Sequence, residues 1–173
     1  MTATTAGTWT IDPSHSEVGF TVRHLMSKVR GQFETFEGSI TTTEALEETS
    51  VDATIDLNSI NTREEQRDAH LRSADFFDVE NNGPMTFKSL TFNGTKATGE
   101  LTIKGATNVV ELDVEFLGED KDPWGGTRIG FEATTEINRK DFGIDFNIPL
   151  DGGKFLVGDK VNITLAIQAV LQG

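Results

Sequence analysis

The sequence predicts an all-β protein, an antiparallel meander curled toward a barrel. Apolar residues recur with a period of two along most of the 173 residues, as in strands with one buried and one wet face. The pattern slips by one position near Thr35, where an extra residue would bend a strand. The last alternating run, residues 161–171, is the longest at roughly 36 Å, taking about 3.3 Å per residue, and suits strands that tilt around an axis. Eight or nine hairpin-linked strands also permit a sandwich, but a barrel is favoured because closure removes exposed edges. One domain spanning 1–173 is expected.

In chain order, Val18, Phe20 and Val22 mark a first inward face and Val29, Gly31 and Phe33 a second; after the slip Phe36, Gly38 and Ile40 take over. Val51, Ala53, Ile55 and Leu57 give the next strand. A short helix near residues 63–74 follows, begun by a capping box of Thr62 and Glu65, with Asp68 and Arg72 at attractive spacing and Arg63 and Arg67 repelling. Leu71, Phe76 and Phe77 form a wedge that anchors this capping helix. Met85, Phe87, Leu90 and Phe92 lead to Asn93-Gly94, a strong hairpin signal. Gly99, Leu101 and Ile103 then turn through 104–108 into Val110, Leu112, Val114 and Phe116, before a polar loop at 118–127. Ile129, Phe131, Ala133 and Ile137 make another strand, 138–143 a turn, and Phe142, Ile144, Phe146, Ile148 and Leu150 a less regular alternation before the final run.

Composition narrows the function. The chain has no Cys, which excludes disulfides, thiolate metal sites and thiol nucleophiles. With 15 Lys+Arg against 28 Asp+Glu the net charge is −13, so a nucleic-acid partner is not expected and any anion site must be local. No run approaches the roughly 20 apolar residues of a membrane span. Residues 1–10 lack the pattern of a secretory signal, and a cytoplasmic location is expected. The aromatic set is lopsided: 12 Phe, 2 Trp and no Tyr.

Enzyme signals are weak. Phosphate-loop, dinucleotide, serine-elbow and zinc-helix patterns are absent. Asp120, Asp122 and Gly125 imitate a calcium loop, but Trp124 stands at a ligand position and Phe131 where the bidentate Glu belongs. Ser14, His15 and Ser16 beside Asp12 read either as a nucleophile and base or as a turn stabilised by side chains. Nothing in the spacing of His15, His24 and His70 demands a metal. His24 shares the inward phase of Phe20 and Val22 and is expected near a cavity mouth. Arg23, Lys28 and Arg30 flank it in a stretch free of acids from 18 to 33, and Arg139 could join them. These cations are either a solvated face or contacts for an anionic head group, for which His24, Arg23, Arg30 and Arg139 are the candidates.

Phe20, Phe33, Phe36, Phe87 and Phe131 share the inward face with the small residues Gly31, Gly38, Ala53, Gly99 and Ala133. Such a mixture either interdigitates into a solid core or leaves a tunnel lined with rings and methyls. A tunnel would take an apolar guest: about ten buried CH₂ groups at roughly 0.8 kcal/mol each correspond to micromolar binding before ordering costs.

The sequence resembles the YceI-like family of lipocalin-like, polyisoprenoid-binding barrels. The likeness runs from Trp9-Thr10-Ile11-Asp12, His15-Ser16 and His24 through Gly31, Phe33, Phe36 and Gly38 to Ser59-Ile60 and Thr62. It continues in Arg67-Asp68, His70-Leu71-Arg72-Ser73, Asp75-Phe76-Phe77-Asp78, Pro84 with Thr86-Phe87, Ile137-Asn138-Arg139, Asp141-Phe142-Gly143 and Val157-Gly158-Asp159. The resemblance implies an eight-stranded antiparallel barrel capped by the helix and holding a long isoprenoid, such as a quinone or polyprenyl phosphate, to carry or sequester it. It also implies a homodimer, no cofactor beyond the bound lipid and no catalysis. Phe20, Val22, Phe33, Phe36, Leu71, Phe76, Phe77, Phe87, Leu101, Ile103 and Phe131 are then the expected apolar lining. Two features depart from the family: the missing signal, and Gly83 where relatives often carry an aromatic before the proline. An enzyme using His24 or His15 as acid or base, and a scaffold or stress-response interaction module, are the alternative functions.

Overall fold

The structure, a computed structural model, describes residues 4–172. Its strands are β1 (Gly7–Ile11), β2 (Glu17–His24), β3 (Ser27–Phe33), β4 (Phe36–Thr42), β5 (Ser50–Ile55) and β6 (Ile60–Asn61), followed by the helix α1 (Glu65–Arg72). Then come β7 (Met85–Phe92), β8 (Lys96–Ile103), β9 (Ala106–Lys121), β10 (Thr127–Asn138), β11 (Pro149–Leu150), β12 (Lys154–Phe155) and β13 (Val157–Leu171). Antiparallel pairing in the order β1-β4-β5-β7-β8-β9-β10-β13, with β13 returning to β1, closes an eight-stranded barrel.

Two breaks shape this barrel. Strand β13 carries both β1 and β2 on one edge: β1 pairs its last residues, Ala169 to Leu171, and β2 its stretch from Val157 to Ala166. Between them Asp12–Ser16 leaves the ladder in a short 3₁₀ turn. The gap is bridged by side chains and backbone together, because Ser16 Oγ both donates to the Gln168 carbonyl and accepts its N–H, while the Asp12 N–H donates to the same carbonyl. The second break is the expected phase slip. Phe33 ends β3 and Phe36 begins β4, both rings buried, with exposed Glu34 and Thr35 between. Two residues between inward positions reverse the parity, so β4 stays with β1 and β5 while β3 diverges with β2 and the short β6.

At the diverging end the wall is completed by α1 and the residues after it. The expected capping box does not form. Glu64 is the N-cap and accepts from the N–H groups of Gln66 and Arg67, whereas buried Thr62 donates its N–H and hydroxyl to Asp68. Arg72 donates to the Asn58 and Ile60 carbonyls rather than pairing with Asp68. The Thr62 side chain is held inward by these bonds and so cannot reach the first turn.

Other boundaries differ from the sequence expectation. The Asn93 turn forms, with its side chain accepting from Thr95 and Lys96, but a register shift between Ser89 and Thr91 puts Leu90 outside. The next turn is only Lys104-Gly105, both at positive φ. Strand β9 extends into the expected polar loop as far as Lys121, leaving 122–126 as the turn, with a bulge near Gly118, and its 16 residues exceed the 15 of β13. Residues 143–148 form no strand; a 3₁₀ turn over Arg139–Phe142 ends in Gly143 at φ 73°, and an irregular segment follows.

A polar cluster secures the first break. Arg128 on β10 donates to Asp12 and Gln168 through Nη1 and to Asp122 through Nε, each at 2.8–3.0 Å. The guanidinium, helped by the Ser14 hydroxyl, holds the Asp12 carboxyl well below the usual carboxylate range. Asp122 is lowered in the same direction by the same arginine. A carboxylate depressed in the folded state contributes stability above its unfolded pKa, about 3.9, and loses it as pH falls further. Arg128→Gln should therefore be destabilised most at neutral pH, and its deficit against wild type should shrink below about pH 4. Denaturant unfolding at a series of pH values measures that; a deficit constant with pH would refute the coupling.

Candidate functional site

Two adjoining apolar chambers occupy the interior. The first, about 300 Å³, lies at the diverging end. The second, about 190 Å³, lies within the closed ring. Val18, Met85 and Ile163 line both and stand at the boundary between them.

All eleven residues expected on the apolar face stand on these walls. Phe20, Val22, Phe33, Leu71, Phe76, Phe77 and Ile103 line the first chamber. Phe36, Phe87, Leu101 and Phe131 line the second. The lumen stays open because rings lie back across glycines. A Cβ on Gly31 would stand 2.5 Å from Phe20 Cζ, and one on Gly99 would collide with the Phe87 ring. Both rings use the missing side chain as a seat, so they cover the wall instead of crossing the lumen. Phe20 also packs on Phe33 at 5.6 Å between centroids, and Phe33 edge-on against Phe77 at 6.0 Å, joining the sheet to the wedge after α1.

Polar groups at the first chamber differ sharply in how they are occupied. Arg67 donates to the Thr62 hydroxyl and carbonyl. His70 bonds Asp75 at 2.9 Å and sits edge-on between Phe76 and Phe146, each 5.0 Å away. His24 lines the chamber, and its ring nitrogens have no hydrogen-bond partner among the described residues. In the second chamber the lining includes Thr49, whose buried hydroxyl also lacks a partner.

The other proposed head-group cations need correction. Arg23 and Arg30 are exposed on the outer face of β2 and β3 and do not line either chamber, because strand parity turns them away from the lumen. Arg139 does line the first chamber and is buried, but its donors are taken. Nε reaches the Gly158 carbonyl at 2.9 Å, Nη1 those of Ile144 and Phe146 at 3.0 and 2.8 Å, and Nη2 that of Val157 at 3.4 Å. Asp159 stands 3.8 Å away and opposes the lowering of the Arg139 pKa by burial. Arg139 thus organises the irregular segment from 143 onward, which brings Phe142, Ile144 and Phe146 to the chamber. Their alternation in the sequence predicts a strand, whereas the backbone here is irregular. Only the Asn138-to-Gly143 turn hinted at another path.

At the opposite end of the barrel, His15 Nδ1 and the Ser14 hydroxyl both bond Asp12. Asp12 accepts from Ser14 N–H as well, which makes the group a capped turn. The Ser14 hydroxyl donates to the carboxylate at 2.7 Å and also stands 3.1 Å from His15 Nδ1, within the same capped turn.

A YceI-like domain model matches residues 9–169. The chain belongs to the YceI-like family. A UPF0312 protein of Staphylococcus aureus is 42% identical over 159 residues, covering 88% of this chain and 91% of the relative. The crystal structure of the Campylobacter jejuni YCEI protein superposes with a TM-score of 0.72 at 32% identity, over 94% of this chain and 96% of that one. A Saccharophagus degradans domain described as polyisoprenoid binding shares the fold, with a TM-score of 0.70 at 16% identity over 97% of this chain and all of that one. In this YceI-like barrel, Arg139→Met should strip four carbonyls of their donor and cost roughly 2–4 kcal/mol in denaturant unfolding. Limited proteolysis should show new cleavage within 143–158; an unchanged digest would show that the segment holds its path without the guanidinium.

Proposed function

We propose that this protein binds a long-chain polyisoprenoid or similar amphiphilic lipid, with its tail threaded through both chambers and its head group at the His24 end, and so carries or sequesters it. The observation that carries this reading is the pair of adjoining apolar chambers that share Val18, Met85 and Ile163 as wall residues. A compact ligand needs one chamber; two in series fit a chain. Interiors normally pack without such voids, and leaving these unfilled forgoes on the order of several kcal/mol of packing. The Saccharophagus domain, described as polyisoprenoid binding, supports the ligand class through a shared fold. Among the described residues His24 is the polar group with unbonded ring nitrogens beside the first chamber, which suits the carbonyl of a quinone or the phosphate of a polyprenyl phosphate.

Solvent extraction of the purified protein followed by mass spectrometry should release such a lipid. Refilling the stripped protein should raise its Tm, since a ligand specific to the folded state stabilises it. Ile163→Trp at the boundary between the chambers should weaken a long polyprenyl ligand by at least about tenfold while sparing a short one that fits the first chamber. No extractable lipid and no Tm response to any isoprenoid would overturn the proposal.

A further inference from the structure

The β2–β3 hairpin turns on Leu25-Met26, an unusual pair for that position. Two-residue hairpin turns favour Gly, Asn or Asp, because the chain must enter positive φ and the tip is wet. Leu25 nonetheless sits at φ 55°, half exposed, and Met26 is 98% exposed. The tip is not isolated. Leu25 N–H donates to the Leu156 carbonyl at 2.9 Å, and Leu156 N–H to that of Ile148 at 3.0 Å. This joins it to a second apolar rim on which Ile148 and Phe155 are 46% and 58% exposed. Ile148 also lines the first chamber, so the rim is where that chamber meets solvent.

Charge changes sign at this point. Arg23, Lys28 and Arg30 project from the outer face just behind the tip, with Arg23 directly across from Lys28 in the ladder. Like charges facing each other across strands repel. None of the three has an ion-pair partner among the described residues. The facing segment carries exposed Asp145, Asp151 and Lys154, together with Asp159, which pairs with Lys140. The hairpin thus presents only cations here, whereas the facing segment is mixed, with Lys154 and Lys140 among its acids. The overall charge of −13 is spread over the whole chain, and charges more than about 8–10 Å from a contact are largely screened at physiological salt.

We infer that the Leu25-Met26 tip and the Ile148/Phe155 rim form a docking surface for an anionic lipid bilayer, with the apolar side chains entering the interface and Arg23, Lys28 and Arg30 contacting the head groups. The arrangement has the two components that interfacial binding requires, exposed apolar side chains and adjacent cations. It would present the chamber mouth to the membrane. Its evidence is the surface itself; only its purpose, loading and release of a guest, rests on the lipid-binding reading.

The test is cosedimentation of the full chain with vesicles of phosphatidylcholine alone or of equimolar phosphatidylglycerol and phosphatidylcholine. Wild type should pellet with the anionic vesicles, and molar salt should weaken that. Leu25→Gly with Met26→Ser gives the turn residues suited to its backbone and should reduce binding about tenfold without lowering Tm. Arg23→Gln with Arg30→Gln should lose about fivefold per cation, while Lys121→Gln at the other end of the barrel should bind normally. Absence of wild-type pelleting, or equal binding by the tip variant and Lys121→Gln, would overturn the inference. So would tip-dependent self-association without vesicle binding. Lipid extraction from the same preparations separates the two readings: a loaded protein that ignores vesicles removes the docking surface alone, and vesicle binding by a protein that takes no isoprenoid removes the carrier alone.

Discussion

The architecture depends on one edge of β13. That edge serves two strands in turn, β2 along its first part and β1 along its end. Had β1 and β2 been one continuous strand, the sheet would have closed into a uniform tube. The excursion at Asp12–Ser16, and the matching break between Phe33 and Phe36, let one end close as a tight ring while the other opens into a flap of β2, β3 and β6. The wider chamber lies at the open end and the narrower one inside the ring. Side chains carry much of the cost of breaking the ladder: Ser16 restores both bonds at Gln168, and Arg128 ties Asp12 to β10 and β13. Buried backbone groups must find such partners wherever a sheet is interrupted.

Keeping the lumen empty is a separate problem, and glycine placement solves it. Large side chains on an inward face normally interdigitate. Here Phe20 rests over Gly31 and Phe87 over Gly99, so two of the largest rings add thickness to the wall without bridging it. Gly38 has another role. A Cβ there would stand 2.8 Å from the Asp52 carbonyl oxygen and 2.8 Å from Ile11, so it permits close approach of backbones. Identical residues on one face thus serve two purposes, one shaping the cavity and the other the ring around it.

Much of this was legible in the sequence because strand parity is a strict code. The period of two placed eight side chains on the chamber walls, the helix wedge added Leu71, Phe76 and Phe77, and the slip near Thr35 located a real break. What failed was whatever depended on side chains reaching out of their own element. The 138–143 turn let Arg139 join the cations around His24 but could not show that four carbonyls, from Ile144 to Gly158, would occupy its donors. The motif around Thr62 and Glu65 matched a capping box, yet Thr62 turned inward to Asp68 and left Glu64 to cap. The alternation from Phe142 to Leu150 imitated a strand because its residues do face an apolar space, although they reach it along an irregular backbone. Periodicity reports which residues are buried more faithfully than how the chain carries them there.

The absence of Tyr acquires a physical reason at the chambers. A phenol on such a wall would bring a hydroxyl that must be bonded or left unsatisfied in an apolar space, at about 1–3 kcal/mol when unmet. Phe covers the same area without that demand. Polarity around the first chamber is consequently concentrated in a few groups, and most are already committed: Arg67 to Thr62, His70 to Asp75, Arg139 to the backbone. His24 is the exception among the described residues. In a lumen that offers apolar contact almost everywhere, one uncommitted imidazole is enough to distinguish the two ends of an amphiphile. On the proposed reading, tail length would be sensed at the shared residues Val18, Met85 and Ile163 and in the second chamber, and orientation at His24. These two selections lie at different points along the barrel and involve different residues, so either can vary without disturbing the other.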